Sequence, residues 1–172
     1  MSEITENAPP VVMTVRGLVM DPTSNSPVVI LENSEGNAFL PIWIGVCEAN
    51  SIALELEGVE TPRPMTHDLI QNLLTAVGCT VEHIYIHTLD DSVFIASIQL
   101  RDASAATHQV DSRPSDAIAL ALRAKVDVLV DPSVLERAVI GESSTEETPS
   151  SATASGRSAS AETPASSAGR WC

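Results

Sequence analysis

Aromatic and basic residues are both scarce in this 172-residue chain. Aromatics make up 3% of the sequence (Phe39, Trp43, Tyr85, Phe94 and Trp171), and nine Lys plus Arg face 23 Asp plus Glu, for a formal net charge of −14. The first scarcity excludes a base-stacking platform, since no basic patch is interleaved with the aromatics. The second excludes a surface that holds phosphate backbones by bulk charge, because an acidic field repels them unless cations or a local basic spot intervene. Residues 1 to 140 alone carry seven Arg or Lys against nineteen Asp or Glu. Cysteine is equally thin. Cys47, Cys79 and Cys172 form neither a CxxC pair nor an even set, which argues for a reducing compartment, against structural zinc, and for Cys47 and Cys79 as small buried hydrophobes. No stretch approaches the roughly 18 apolar residues needed to span a bilayer. The N-terminus also lacks the basic region and apolar run of a secretory signal, so a cytoplasmic location without membrane contact is expected.

What is present is enough for one core. Hydrophobic residues amount to 44%, but residues 141 to 172 are built almost wholly from Ser, Thr, Ala, Glu, Gly and Pro without apolar periodicity, and are expected to be a disordered tail. Residues 1 to 10 are polar, end in Pro9-Pro10 and read as a flexible N-terminus, which leaves residues 11 to 140 as a single folded domain.

Within it a pattern repeats. Strands are predicted over Val11 to Met20, Val28 to Leu31 and Ala38 to Ile44, then a helix from Glu48 to Glu57 closed near Gly58, then a helix from Asp68 to Val77 closed by Gly78. Strands follow at Val81 to Thr88, Val93 to Leu100 and Thr107 to Asp111, a helix at Ser115 to Lys125, a short strand at Val126 to Val130 and a last helix at Pro132 to Val139. Ile52-Ala53-Leu54-Glu55-Leu56 aligns with Ile118-Ala119-Leu120-Ala121-Leu122 at a spacing of 66 residues. The reading is an α+β fold of duplicated β-β-β-α units with a largely antiparallel sheet and packed helices. A doubly wound nucleotide fold would need regular strand–helix alternation and a Gly-rich first turn, and has neither.

The chemistry concentrates at two Arg-Pro segments, Arg63-Pro64-Met65-Thr66-His67-Asp68 and Asp111-Ser112-Arg113-Pro114-Ser115-Asp116, each leading into an apolar helix. Helix physics accounts for part of them. Pro114 suits a first turn because it has no N–H to leave unpaired, Thr66 reads as an N-cap, and Asp68 and Asp116 complement the positive helix end. The arginines are left over, since a cation there sits at the wrong pole. Either they pair with Asp68, Asp111 or Asp116 in a structural charge network, or guanidinium and free backbone N–H groups form a cradle for phosphate, with Arg63, Arg113, Thr66 and Ser115 as its members. His67 is the histidine in the most polar context and the candidate acid or base. His83 and His87, four apart in a strand, are separated by about 13 Å and make a poor metal pair. Glu48, Asp111 and Asp116 are hard oxygen ligands near helix starts, suited to Mg²⁺ or Mn²⁺, with Asp68 a fourth carboxylate nearby; no organic cofactor is expected.

Taken in order, Asp21-Pro22, Leu40-Pro41-Ile42-Trp43-Ile44-Gly45, Glu48-Ala49, Leu56-Glu57-Gly58, Arg63 to Leu69 and Asp111 to Ala121 resemble the bifunctional nuclease family over residues 11 to about 139. The resemblance implies a small α+β domain that hydrolyses phosphodiester bonds of RNA and DNA. Catalytic roles would then fall on His67, Asp68, Asp111 and Asp116, phosphate contacts on Arg63, Arg113, Thr66 and Ser115, and metal ligation on Glu48, Asp111 and Asp116. Two other readings stand beside it: a non-catalytic regulatory module that binds a phosphorylated ligand or a protein partner through the same residues, and a structural homo-oligomer joined at exposed strand edges.

Overall fold

The computed structural model describes residues 8–142. Most of the predicted tail, with Trp171 and Cys172, lies outside the described residues, as does most of the predicted N-terminal segment; residues 141 and 142 belong to the last helix. The chain runs β1 (Val11–Met20), β2 (Pro27–Asn33), β3 (Phe39–Trp43), α1 (Val46–Leu56), α2 (Thr66–Ala76), β4 (Thr80–Asp90), β5 (Val93–Arg101), β6 (Thr107–Ser112), α3 (Pro114–Ala124), β7 (Asp127–Val130) and α4 (Pro132–Glu142). This is the duplicated β-β-β-α arrangement expected from the sequence, with each predicted element within a few residues of its place.

The two three-stranded meanders join into one seven-stranded sheet of order β3-β2-β1-β7-β4-β5-β6. The four-residue β7 is the seam, antiparallel to β1 (Val12 opposite Leu129) and parallel to β4 (Tyr85 opposite Leu129). All other neighbouring pairs are antiparallel. Strand alternation sends Val29, Leu31, Leu40, Ile42, Ile84, Ile86 and Ala96 into the core, where they meet Ile52 of α1 and Ile118 of α3. One edge, β6, is polar and exposed along most of its length.

Helix α3 is the centre of the helical layer. Seven of its eleven residues are buried, from Pro114 to Ala121 with Asp116 the exception, and its alanines let both α1 and α2 pack against it. Gly58 and Gly78 close α1 and α2 at positive φ (63° and 74°), in the left-handed conformation that costs a glycine nothing. Two local readings are corrected. Met65, not Thr66, is the N-cap of α2; Asp68 accepts the Met65 N–H at 2.8 Å, so the acid at the third helical position performs the capping expected of the threonine. Cys47 is exposed and Cys79 half-buried, because Cys47 lies in the solvent-facing first turn of α1 and Cys79 just past the end of α2.

Candidate functional site

The first turns of three helices open onto one cleft of about 550 Å³, lined by Val46, Cys47, Glu48, Asn50 and Ser51 from α1, Met65, Thr66 and His67 from α2, and Arg113 and Asp116 from α3. A helix start presents unpaired backbone N–H groups and the positive end of its dipole. Each of the three carries an acid in its first turn, Glu48, Asp68 or Asp116, which complements that dipole. The sequence places the three starts there because each of these helices follows an extended N-cap, Gly45, Met65 or Arg113, at the same end of the layer.

His67 is the buried centre of this cleft, 8% exposed. Its Nε2 lies 3.2 Å from Asp116 Oδ1 and its Nδ1 2.8 Å from Ser51 Oγ. Asp116 Oδ2 accepts from Arg113 Nε at 2.7 Å, and the same guanidinium reaches Glu48 Oε1 at 2.9 Å. Burial pushes the Asp116 carboxyl up, but the bonds from Arg113 and His67 outweigh it and hold the group below its ordinary value. Asp116 and Glu48 in turn push the Arg113 guanidinium further up. An ionised Asp116 keeps the proton on His67 Nε2. In that tautomer of the neutral ring the lone pair on Nδ1 faces the Ser51 hydroxyl, 2.8 Å away and able to donate to it. Gly45 leaves room for the contact between Glu48 and Arg113: a Cβ there would meet the Glu48 carboxylate where it now lies, and the side chain would have to swing aside.

A second cluster lies behind the first. Arg123, near the end of α3, has a side chain only 6% exposed; it donates through Nε to Asp68 Oδ1, through Nη1 to the Ala119 carbonyl at 2.8 Å and through Nη2 to the Ser51 carbonyl at 3.3 Å. The Arg123 bond, with the Met65 N–H, holds the Asp68 carboxyl below its usual range. One buried guanidinium thus ties α3 to α1 and α2.

Of the residues singled out from sequence, Glu48, Thr66, His67, Arg113 and Asp116 meet in the cleft. Asp68 borders the adjoining cleft beside Arg123. Ser115 is buried on the other side of Arg113, facing the end of β3 and the β4–β5 turn. Arg63 is exposed, and its guanidinium makes no hydrogen bond or ion pair among the described residues. Asp111 stands opposite Ser97, while its neighbours Val110 and Ser112 stand opposite Ile98 and Ala96, which pack on the core. Alternation therefore turns Asp111 to the face of the sheet away from the helices. Among the described residues no group of three or more His, Cys, Asp or Glu side chains gathers closely enough to hold a metal ion. Sequence reasoning missed Ser51 and Arg123. Their only signal is position: Ser51 in α1 one turn on from Glu48, Arg123 at the end of the apolar run after Asp116.

A family model described as "Bifunctional nuclease domain" matches residues 29–143. The chain belongs to the bifunctional nuclease domain family. Two proteins of Mycobacterium tuberculosis, "Uncharacterized protein MT1877" (strain CDC 1551 / Oshkosh) and "Uncharacterized protein Rv1829" (strain ATCC 25618 / H37Rv), are each 42% identical to it over 124 residues, which cover 72% of this chain and 73% of the relative. The family match spans the whole cleft, from Val46 to Asp116, and the second cluster at Arg123. No described helix is long and apolar enough to cross a membrane.

Proposed function

We propose that this protein is a nuclease that hydrolyses phosphodiester bonds of RNA and DNA in the cleft between the starts of α1, α2 and α3. The observation that carries the reading is the convergence of three helix N-termini on a histidine that is hydrogen-bonded to an ionised aspartate and to a serine hydroxyl. Helix starts and the Arg113 guanidinium suit an anionic phosphate. His67 and Asp116 suit proton transfer.

The proton path follows from the contacts. With Nε2 committed to Asp116, the nitrogen free to accept is Nδ1, and it reaches the cleft through Ser51 Oγ. In the proposed reaction Ser51 takes a proton from the attacking water as its own passes to His67, the water oxygen bonds to phosphorus as the P–O bond to the leaving oxygen breaks, and the leaving oxygen takes its proton from solvent. Arg113 then binds the phosphate through the guanidinium edge not used by Glu48 and Asp116, and Arg63, outside the cleft, holds a flanking phosphate. Glu48 and Asp116 are the carboxylates that would hold a divalent ion such as Mg²⁺ or Mn²⁺. Such an ion would acidify a bound water and offset the acidic surface.

A non-catalytic module that binds a phosphorylated ligand is the second reading, favoured by the engagement of Arg113 with both carboxylates, which is the arrangement of a clamp at rest. The two separate in one experiment, in which labelled single-stranded RNA and DNA are incubated with purified protein in Mg²⁺, Mn²⁺ or EDTA, alongside an Asp116→Asn variant shown to be folded under the same conditions. Cleavage that disappears in the variant supports the nuclease. Binding without cleavage in both would hand the site to the second reading.

A further inference from the structure

Arg113 stands between two hollows. One is the cleft that holds His67; the other, of about 380 Å³, lies across the guanidinium where β3 ends, the β4–β5 turn passes and α3 begins. The second hollow is unlike the rest of the surface in three ways. In a chain of net charge −14 no carboxylate lines it, and its one charged side chain is Arg113. Trp43 and Phe94, far apart in sequence, both line it. Ser115, only 7% exposed, lines it too, and its hydroxyl makes no hydrogen bond among the described residues. A buried hydroxyl is ordinarily paired, so an unused donor and acceptor at the wall of a hollow points to a ligand. The rings are held in place but left partly open. Phe94 packs on the core and is half-buried, while Trp43 is half exposed and tethered by its Nε1–H, which donates to Asp21 Oδ2 at 3.2 Å.

We infer that this hollow is a nucleobase subsite: with a phosphate held by Arg113 at the edge of the cleft, the base of an adjoining nucleotide enters the hollow, stacks against Phe94 and Trp43, and hydrogen-bonds to Ser115 Oγ. The subsite presupposes nucleic acid at Arg113, as proposed above. The lining decides the occupant. A phosphate alone would use Arg113 and Ser115 and leave both rings idle, and an apolar peptide segment would leave Arg113 and Ser115 unpaired. A nucleotide uses all four. Aromatic faces accept any base, and a serine hydroxyl, both donor and acceptor, can pair with any base edge. The volume falls within the roughly 300 to 1,000 Å³ of small-molecule sites and suits one base. The chain's few aromatics are too sparse for a platform that stacks a run of bases, but one pocket beside one phosphate clamp needs only two. Stacking also supplies affinity that an acidic surface cannot draw from backbone charge.

The test compares a thymidine oligonucleotide of about ten residues with an abasic chain of the same length and charge. Both are phosphorothioate-linked to resist hydrolysis, and both are titrated with the full protein by fluorescence anisotropy, in Mg²⁺ and in EDTA. The wild type should bind the thymidine chain about tenfold more tightly than the abasic one. Phe94→Leu and Trp43→Leu, checked for an unchanged thermal midpoint, should each weaken thymidine binding about fivefold and leave abasic binding as it was. Ser115→Ala should weaken it about threefold. Phe39→Leu, at an exposed aromatic that lines a different hollow, should keep the full preference. Emission from Trp43, read in a Trp171→Phe chain where it is the one tryptophan left, should be quenched by the thymidine chain and not by the abasic one. That readout leaves the hollow unaltered and decides the matter if the leucine variants unfold. Equal binding of the two oligonucleotides to the wild type overturns the subsite, as does a preference that survives in folded Phe94→Leu and Trp43→Leu. Cleavage of unmodified RNA or DNA without base preference removes the subsite alone. A base preference without cleavage removes the hydrolysis alone, and failure to bind either oligonucleotide removes both.

Discussion

The starts of α2 and α3 carry the same ingredients, an Arg-Pro pair and an aspartate at the third helical position, and the structure uses them in opposite ways. At α3, Pro114 is the first helical residue, so Arg113 is the N-cap and its side chain folds back 2.7 Å from Asp116. At α2, Met65 intervenes between Pro64 and the helix, Arg63 falls outside it, and Asp68 finds its counter-charge on another helix, at Arg123. The exchange is mutual: α3 sends Arg123 to the acid of α2, and α2 sends His67 to the acid of α3. Accessibility sorts the two pairs. The Arg113 side chain is 67% exposed and the Arg123 side chain 6%, so one is available to a ligand and the other holds helices together.

The sharpest way to break this contrast is Asp68→Ala. It strands the Arg123 guanidinium in the protein, and losing one partner of a buried pair costs about 3 to 5 kcal/mol. Urea denaturation should show that loss, and Asp68→Ala molecules that remain folded should keep their cleavage rate. Asp116→Asn should do the converse. It removes the charge that fixes the His67 tautomer, so kcat should fall about 100-fold or more, while stability drops by only about 1 kcal/mol, because the pair it breaks is partly solvated. Equal stability losses in the two variants would erase the distinction.

Acid titration sharpens it further. Both carboxyls lie below their ordinary value of 3.8 in the folded protein. Each therefore contributes stability above the unfolded-state value, and that contribution is lost as pH falls through the folded one. Stability measured from pH 6 to 2 should fall less steeply in Asp68→Asn and Asp116→Asn than in the wild type; an unchanged slope would show that the carboxyls are not held ionised. The smallest effect is expected at Arg63→Ala, within about 0.5 kcal/mol of wild type in stability. Its mark should be on nucleic-acid affinity alone, with a salt dependence shallower by about one phosphate contact.

Much of this was legible in the chain. Gly58 and Gly78 end their helices as their backbone freedom suggests, Pro114 begins one, and the alternation of Val29, Leu31, Leu40 and Ile42 sets which face of the first meander is buried. These are local effects, decided by the φ of one residue or by a period of two. The N-cap of α2 lies one residue before the threonine that propensity favours, because Asp68 accepts the N–H of Met65, three positions ahead of it. Asp111, like Glu48 and Asp116, precedes or begins a helix, and by sequence alone the three look alike. Strand parity, which depends on where pairing with β5 starts, turned it to the other face.

By itself, then, the sequence determined the elements, their duplication and the two Arg-Pro helix starts, since each of these is a property of neighbouring residues. Only the tertiary structure decided which arginine is buried, that Ser51 meets His67 across 16 residues and Asp116 meets it across 49, and that α2 turns its apolar side to solvent. The physical reason is that these depend on how three helices are brought together on one sheet, by contacts between residues far apart in the chain that no local propensity or period records.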